Sequence, residues 1–194
     1  FEIGRFQQAI ELSKNQLKEV KDKVKSRLGR DLIYILDAQL LILEDKTILQ
    51  KTVDGIKKDG INAEWALEKT IKKIKGAFEQ IENEYLRDRF SDIDYVGERI
   101  LKNLVGRVEE GFSKITEDVV VVARDLSPAD TAQMTKEKIL GFATDMGSKT
   151  SHTAIMARAL GIPAVVGLKN FTRHVSSGAD IIVDGTEGVV IIAP

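Results

Sequence analysis

Apolar residues recur at intervals of three, four and seven along the first half of the chain. Ile3, Phe6, Ile10, Leu17, Val20, Val24 and Leu28 form one such stripe. That spacing predicts a long amphipathic helix, which Gly29 is placed to stop. A second stripe runs through Leu32, Ile35, Leu36, Gln39, Leu40 and Leu43. Glu44 and Asp45 interrupt it, and Asp45 suits the cap of a further short helix through Ile48, Leu49 and Val53. Gly55 and Gly60 punctuate the next stretch. Asn62 then caps a long helix with the stripe Leu67, Ile71, Ile74, Phe78, Ile81 and Tyr85. Ser91 with Asp94 has the spacing of a capping box, opening a last helix along Val96, Ile100 and Leu104 that Gly106 closes. Successive helices on short connections pack antiparallel, so residues 1–109 are expected to be an all-α helical bundle.

From about residue 110 the period changes. Val119–Ala123 is a β-branched run, and Ser127 precedes a short helix over Pro128–Met134. Ile139–Thr144 reads as a strand, followed by a small-residue loop and a helix from about Ser151 to Leu160. After Gly161 comes a strand at Ala164–Val166, and Ile181–Asp184 with Val189–Ile192 flanks a Gly185–Gly188 turn as a hairpin. Residues 110–194 are therefore expected to form a compact α/β domain with a mixed sheet.

Charge sharpens this division. Residues 1–110 hold 21 basic and 21 acidic side chains, residues 111–194 only 8 and 9, and all three prolines fall in the second part. The 194 residues carry a net charge of −1 and are 43% hydrophobic, which suits a folded protein and argues against a general polyanion or nucleic-acid binder. The absence of cysteine excludes a disulfide framework and thiol chemistry, and His152 and His174 are too few for a multi-histidine metal cluster. No apolar run approaches the ~18 residues needed to span a bilayer, and no export signal is evident. Because the chain lacks an initial Met and begins within a helical pattern, it is expected to be part of a longer, cytoplasmic protein.

The segment that offers chemistry is Gly141–Arg158, GFATDMGSKTSHTAIMAR. A strand ends, small polar residues follow, and His152 falls in the first turn of a helix whose apolar side holds Ile155, Met156, Ala159 and Leu160. A helix N-terminus presents unpaired N–H groups and partial positive charge, so it favours an anion. A neutral imidazole nitrogen is nucleophilic towards phosphorus. The hydroxyls of Thr150, Ser151 and Thr153, with Lys149 and Arg158, would surround a phosphoryl group there. Position alone favours the plainer alternative, a helix-cap or surface histidine.

Other features carry less. Gly147-Ser-Lys-Thr is not a P-loop, since Phe142 stands where the first glycine is required and Ser148 separates Gly147 from Lys149. Ser151 beside His152 lacks the elbow of a hydrolase, and His174 reads as a surface residue. Asp31, Asp37, Glu44 and Asp45, like Glu82, Glu84, Asp88 and Asp92, are either solvated helix faces or the surround of an apolar patch suited to a small basic protein.

The stretch from Gly147 to Gly167, GSKTSHTAIMARALGIPAVVG, resembles the phosphohistidine signature of the phosphoenolpyruvate-utilising enzymes. These include Enzyme I of the sugar phosphotransferase system, pyruvate phosphate dikinase and phosphoenolpyruvate synthase. Ser148 stands where the family usually has Gly or Ala. Asp125–Gln133, DLSPADTAQ, is similar to the segment that brings a threonine hydroxyl to the reactive imidazole. Leu43-Glu-Asp45 and the run from Glu84 through Arg99 resemble the helical subdomain inserted in the Enzyme I branch. The resemblance implies a compact swivelling phosphohistidine β/β/α domain plus the helical subdomain. It also implies that a first strand of the α/β half and a C-terminal barrel lie outside this chain.

The activity so implied is phosphoryl transfer from phosphoenolpyruvate to a histidine of the phosphocarrier HPr, through covalent phosphohistidine at His152. Thr131 would orient the ring at Nδ1, Arg158 would contact the phosphoryl oxygens, and Lys149 would assist. HPr would dock on the helices at Asp37, Leu40, Glu44, Asp45 and Arg89. Mg²⁺ would sit in the barrel outside this chain, and the whole enzyme would be a homodimer. The swivelling domain of a dikinase or synthase, and a non-catalytic protein-binding module, are the alternatives.

Overall fold

The computed structural model describes residues 1–27, 29–78, 84–107, 111–112 and 115–192; the side chains of 30–32, 78 and 84–90 lie outside the description. The chain divides into two compact units, one of Phe1–Asp22 and Leu36–Glu109, the other of Lys23–Ile35 and Glu110–Pro194.

The helical unit is built on α1 (Glu2–Val24) as far as Asp22, α2 (Arg30–Ile42) from Leu36 onward, α3 (Lys46–Asp59), α4 (Ala63–Phe78) and α5 (Glu84–Leu104), the remainder of α1 and α2 grouping with the second unit. Its ends use local chemistry. The Asp45 carboxylate accepts from the Ile48 amide at 2.9 Å to start α3, and Gly60 stops it in the left-handed region at φ 62°. Asn62 accepts from the Trp65 amide at 3.0 Å to start α4. The stripes supply the core, where Phe6, Ile10, Leu17, Leu36, Leu43, Leu67 and Ile100 are buried.

Three boundaries differ from the sequence-based expectation. Gly55 lies inside α3, not at its end. A Cβ there would meet that of Ala66 on α4 at 3.5 Å, an ordinary contact, so the packing of α3 on α4 has room for an alanine at this position. Burial along that helix pair outweighs the ~1 kcal/mol propensity cost of a mid-helix glycine. The first helix ends at Val24, with a turn over residues 25–27, short of Gly29, while the part of the Leu67–Tyr85 stripe at residues 79–83, Ile81 included, lies outside the described residues. Ser91 and Asp94 fall within α5, so their spacing caps nothing. A helix already propagating from Glu84 does not need a new start.

Polar groups fix how these helices meet. The Arg5 guanidinium binds Glu2, Glu64 and the Leu104 carbonyl (3.0 Å), and the Glu2 carboxylate accepts from the Ala63 amide at 2.8 Å. One residue thereby ties the ends of α1, α4 and α5. Farther along, Asn103 donates to Ser13 (2.8 Å) and Gln16 (3.0 Å), and Arg99 also donates to Gln16.

The second unit contains β1 (Val119–Ala123), α6 (Pro128–Gln133), β2 (Ile139–Thr144), α7 (His152–Leu160), β3 (Ala164–Val165), a 3₁₀ turn at Phe171–Arg173, β4 (Ile181–Asp184) and β5 (Val189–Ile192). The strands form two sheets rather than one mixed sheet. β1, β2 and β3 run parallel in that order, with α6 and α7 as the crossovers, and β4 pairs antiparallel with β5 as a separate hairpin. Central β2 is buried except at Leu140, and Leu126, Met134, Ile139, Phe142, Ala157 and Ile162 form the core around it. The loops after β1 and β2 leave the same end of the parallel sheet, the end at which α/β proteins place their sites.

Candidate functional site

His152 is the first residue of α7. Ser151 caps that helix, accepting from the Ala154 amide at 3.4 Å and donating to the Ser148 carbonyl at 2.8 Å. The ring is half-buried. Its helix is rooted from below: Met156 and Ala157 are buried, and the Thr153 hydroxyl donates to the Leu126 carbonyl at 3.1 Å. That bond ties the first turn of α7 to the loop before α6.

The loop before α6 is itself ordered by a capping box. Asp130 and Ser127 exchange side-chain and backbone hydrogen bonds, with Pro128 at the first helical position. This sets Thr131, fully buried, one turn into α6. Its hydroxyl donates to the Ser127 carbonyl at 3.1 Å. With that proton committed, the oxygen can only accept from any other group it meets.

Of the hydroxyls that the sequence placed around a phosphoryl group, two prove to be structural. Thr153 is buried on Leu126, and Ser151 is occupied as the helix cap. Thr150 stays exposed, its hydroxyl 3.0 Å from that of Ser148, which gives Ser148 a partner within the loop. Arg158 is exposed and turns back along its helix, donating to the Lys149 carbonyl at 3.1 Å. Arg158 and Lys149 thus meet at the loop just before His152. Both also line a cavity of about 930 Å³ with Ala164, Ile182 and Glu187, although His152 does not.

The root of this loop holds a feature that the sequence did not signal. Asp145 is 6% exposed, and its carboxylate accepts from the Thr172 amide at 3.0 Å and from the Thr172 hydroxyl. These bonds, the Thr172 hydroxyl foremost, hold its pKa below the usual carboxylate range, with Arg173 adding positive charge nearby.

The docking residues expected on the helical unit fare unevenly. Asp37 pairs with Lys21, Glu44 lies 3.7 Å from Lys14, and Asp45 is occupied in capping α3. Leu40 is half-buried, whereas Leu41 is 69% exposed. Leu41 lies four residues after Asp37 on α2, so these two positions share a face, a detail the apolar stripe did not flag, and Glu44 follows in the turn beyond the helix. Arg89 lies outside the described side chains. His174 is exposed at the end of the 3₁₀ turn, as expected.

Two family descriptions match this chain: "PEP-utilising enzyme, N-terminal" over residues 1–89 and "PEP-utilising enzyme, mobile domain" over residues 115–188. The second stretch contains Thr131, Lys149, His152 and Arg158. The chain belongs to the phosphoenolpyruvate-utilising enzymes. Within them its relatives are Enzyme I proteins. A phosphoenolpyruvate-protein phosphotransferase of Listeria monocytogenes is 45% identical over 193 residues, covering all of this chain and 34% of that protein. A solution structure of Enzyme I is 44% identical with a TM-score of 0.78, covering all of this chain and 78% of that one. The N-terminal domain of "Enzyme 1 - Nitrogen" is 27% identical with a TM-score of 0.63, covering 98% and 77%. The chain therefore spans about a third of the length of the curated relatives it matches.

Proposed function

We propose that this chain is the part of a phosphoenolpyruvate-protein phosphotransferase that carries the phosphoryl group on His152 and passes it to HPr. The observation that carries this reading is the seat of His152, first in a Ser-capped helix that the Thr153–Leu126 bond anchors. The similarity of both units to Enzyme I supports it over a dikinase's swivelling domain.

In the first half-reaction, His152 Nε2 attacks phosphorus of phosphoenolpyruvate. The N–P bond forms as the P–O bond to the enol oxygen breaks, and the enolate leaves with that electron pair to become pyruvate on protonation. In the second, a histidine nitrogen of HPr attacks the same phosphorus and the His152 N–P bond breaks. Thr131 sets the tautomer: its hydroxyl proton is held by Ser127, so it accepts the Nδ1 proton and leaves Nε2 bare. Arg158, with Lys149 beside it, meets the negative oxygens.

HPr docks on the α2 face made by Asp37 and Leu41 and on Glu44 in the turn after it, with Leu40 and Arg89 adding contact and Asp45 holding the adjoining start of α3. The acidic residues steer a basic partner and Leu41 supplies apolar area. Mg²⁺, which the family implies, finds no group of three or more His, Asp or Glu side chains among the described residues, and no step here is routed through it. Among those residues no helix is long and apolar enough to cross a membrane. From the resemblance to Enzyme I, we assign the parent enzyme to the cytoplasm as a homodimer.

The test is incubation of the full-length enzyme with labelled phosphoenolpyruvate and Mg²⁺, followed by mapping of the acid-labile phosphate. Label on His152, lost in His152→Ala and discharged by HPr, supports the assignment. Persistent label in His152→Ala overturns it.

A further inference from the structure

Asp145 is absent from the transfer chemistry just described, yet it is one of the few buried acidic side chains of the α/β unit. Around it the chain is pinned along both sides. The Asp145 and Met146 amides donate to the Ala123 and Arg124 carbonyls at 3.2 and 2.9 Å. On the other side the Gly167, Leu168 and Lys169 amides donate to the Met146, Thr144 and Asp145 carbonyls at 3.0, 3.0 and 2.8 Å. The Asp145 carboxylate then closes a longer loop by binding Thr172 through its amide and hydroxyl.

The turn held by that carboxylate touches the His152 loop. A Cβ at Gly167 would stand 3.0 Å from the Gly147 carbonyl oxygen. One at Gly147 would stand 3.2 Å from Val166 and 3.3 Å from the Ser151 hydroxyl. Contact therefore runs from Thr172 and Asp145 through the 166–167 backbone to Gly147, to the cap of α7, and so to His152. The turn also stores strain, since Lys169 adopts φ 68°, a region unfavourable to a side chain with a Cβ. Such a conformation persists only when its surroundings over-determine it, and the bonds to Asp145 do so here.

We propose that Asp145 is a positioning residue: by binding Thr172 it fixes the 166–172 turn against Gly147 and thereby sets the place of the His152 ring. This rests on the reading of His152 as the phosphoryl acceptor. The ring must meet a donor and an acceptor in succession, and a small misplacement of a reacting group can cost on the order of 100-fold in rate. A carboxylate that accepts two hydrogen bonds from a single residue holds the turn more firmly than neutral contacts would.

The test uses the full-length enzyme with Asp145→Ala, Thr172→Val and Thr172→Ser. Asp145→Ala and Thr172→Val lower kcat for phosphoryl uptake at least ten-fold with KM for phosphoenolpyruvate within two-fold, and Thr172→Ser, which restores the hydroxyl, returns kcat to within two-fold of wild type. In parallel, nitrogen-detected spectra of the imidazoles show the His152 ring, and amides 147–151, shifted in Thr172→Val. Thr172→Val keeps the buried carboxylate and the amide bond, so it remains readable if Asp145→Ala does not fold. Unchanged kcat together with unchanged His152 ring signals in Thr172→Val overturns the proposal. If the wild-type enzyme carries no phosphate on His152, the functional reading fails while the ring signals still decide whether Asp145 positions the loop.

Discussion

Two carboxylates, one in each unit, do the same physical job to different ends. In the helical unit Glu2 accepts from the Ala63 amide and pairs with Arg5, whereas in the α/β unit Asp145 accepts from Thr172. Glu2 joins helix ends whose course is already settled by repeating apolar stripes. Asp145 closes loops that have no repeat to follow, next to the residue assigned the chemistry. The contrast teaches that a regular region tolerates loss of a polar tie, because burial along each helix retains its register. An irregular region has only its hydrogen bonds and glycines to hold it in place.

The sharpest way to break the comparison is to remove core volume from each unit. Phe142→Ala should cost about 3–5 kcal/mol and Leu67→Ala about 2–5 kcal/mol in urea denaturation. If the contrast holds, Phe142→Ala also strips protection from amides 145–152 in hydrogen exchange, while Leu67→Ala leaves α4 helical by the same measurement.

Glycines give a finer test. A Cβ at Gly97 would fall 2.1 Å from Ile71 Cδ1, whereas Gly76 has open space around it. Gly97→Ala must turn aside the Ile71 Cδ1 methyl, the free end of a half-buried flexible side chain, so part of the gain in helix propensity is expected to be lost there. Gly76→Ala should stabilise by up to about 1 kcal/mol. A thermal midpoint raised more by Gly97→Ala than by Gly76→Ala would contradict this account.

Caps compare the units directly. Asp45→Ala in the helical unit and Ser151→Ala in the α/β unit should each cost about 1 kcal/mol by denaturant titration. Only Ser151→Ala should also slow phosphoryl uptake, because its helix begins at His152.

The effect confined to acid comes last. The Ala63 amide, then Arg5, lowers the Glu2 pKa, and the Thr172 hydroxyl, then backbone amides and Arg173, lowers that of Asp145. The charged groups facing Glu2 are Arg5, which also binds Glu64, and the terminal amine; Asp145 faces Arg173. A depressed carboxylate stabilises the fold above its unfolded pKa, about 4, and that contribution is lost as pH falls through the lower folded value. Stability should therefore drop on acidification below about pH 4, and less steeply in Glu2→Gln and Asp145→Asn. Equal acid limbs in wild type and both variants would remove these carboxylates from the explanation.

Much of this was legible in the chain itself. Asp45, Asn62 and Ser127 each cap the helix that their position predicted, because a short polar side chain acts on amides two or three residues away, whereas the capping role of Ser151 was not foreseen. The βαβ order and the 181–192 hairpin were legible from the change of period and the Gly-bounded turn. Ser91 misled because its spacing is local and says nothing about a helix already under way from Glu84. Leu41 was missed because the stripe marked its buried neighbours rather than the exposed residue between them. The engagement of the Thr153 hydroxyl was not legible because only the fold brings the Leu126 carbonyl to it.

The amino-acid sequence alone settled the helical stripes, the strand-and-helix alternation, the caps and which imidazole is the candidate, since each depends on residues within a turn or two of one another. Tertiary structure decided which hydroxyls remain available at the site and that Thr172 reaches back across 27 residues to Asp145. These are encounters between distant segments. Nothing in local spacing encodes them, because they exist only once burial of the core has brought those segments together.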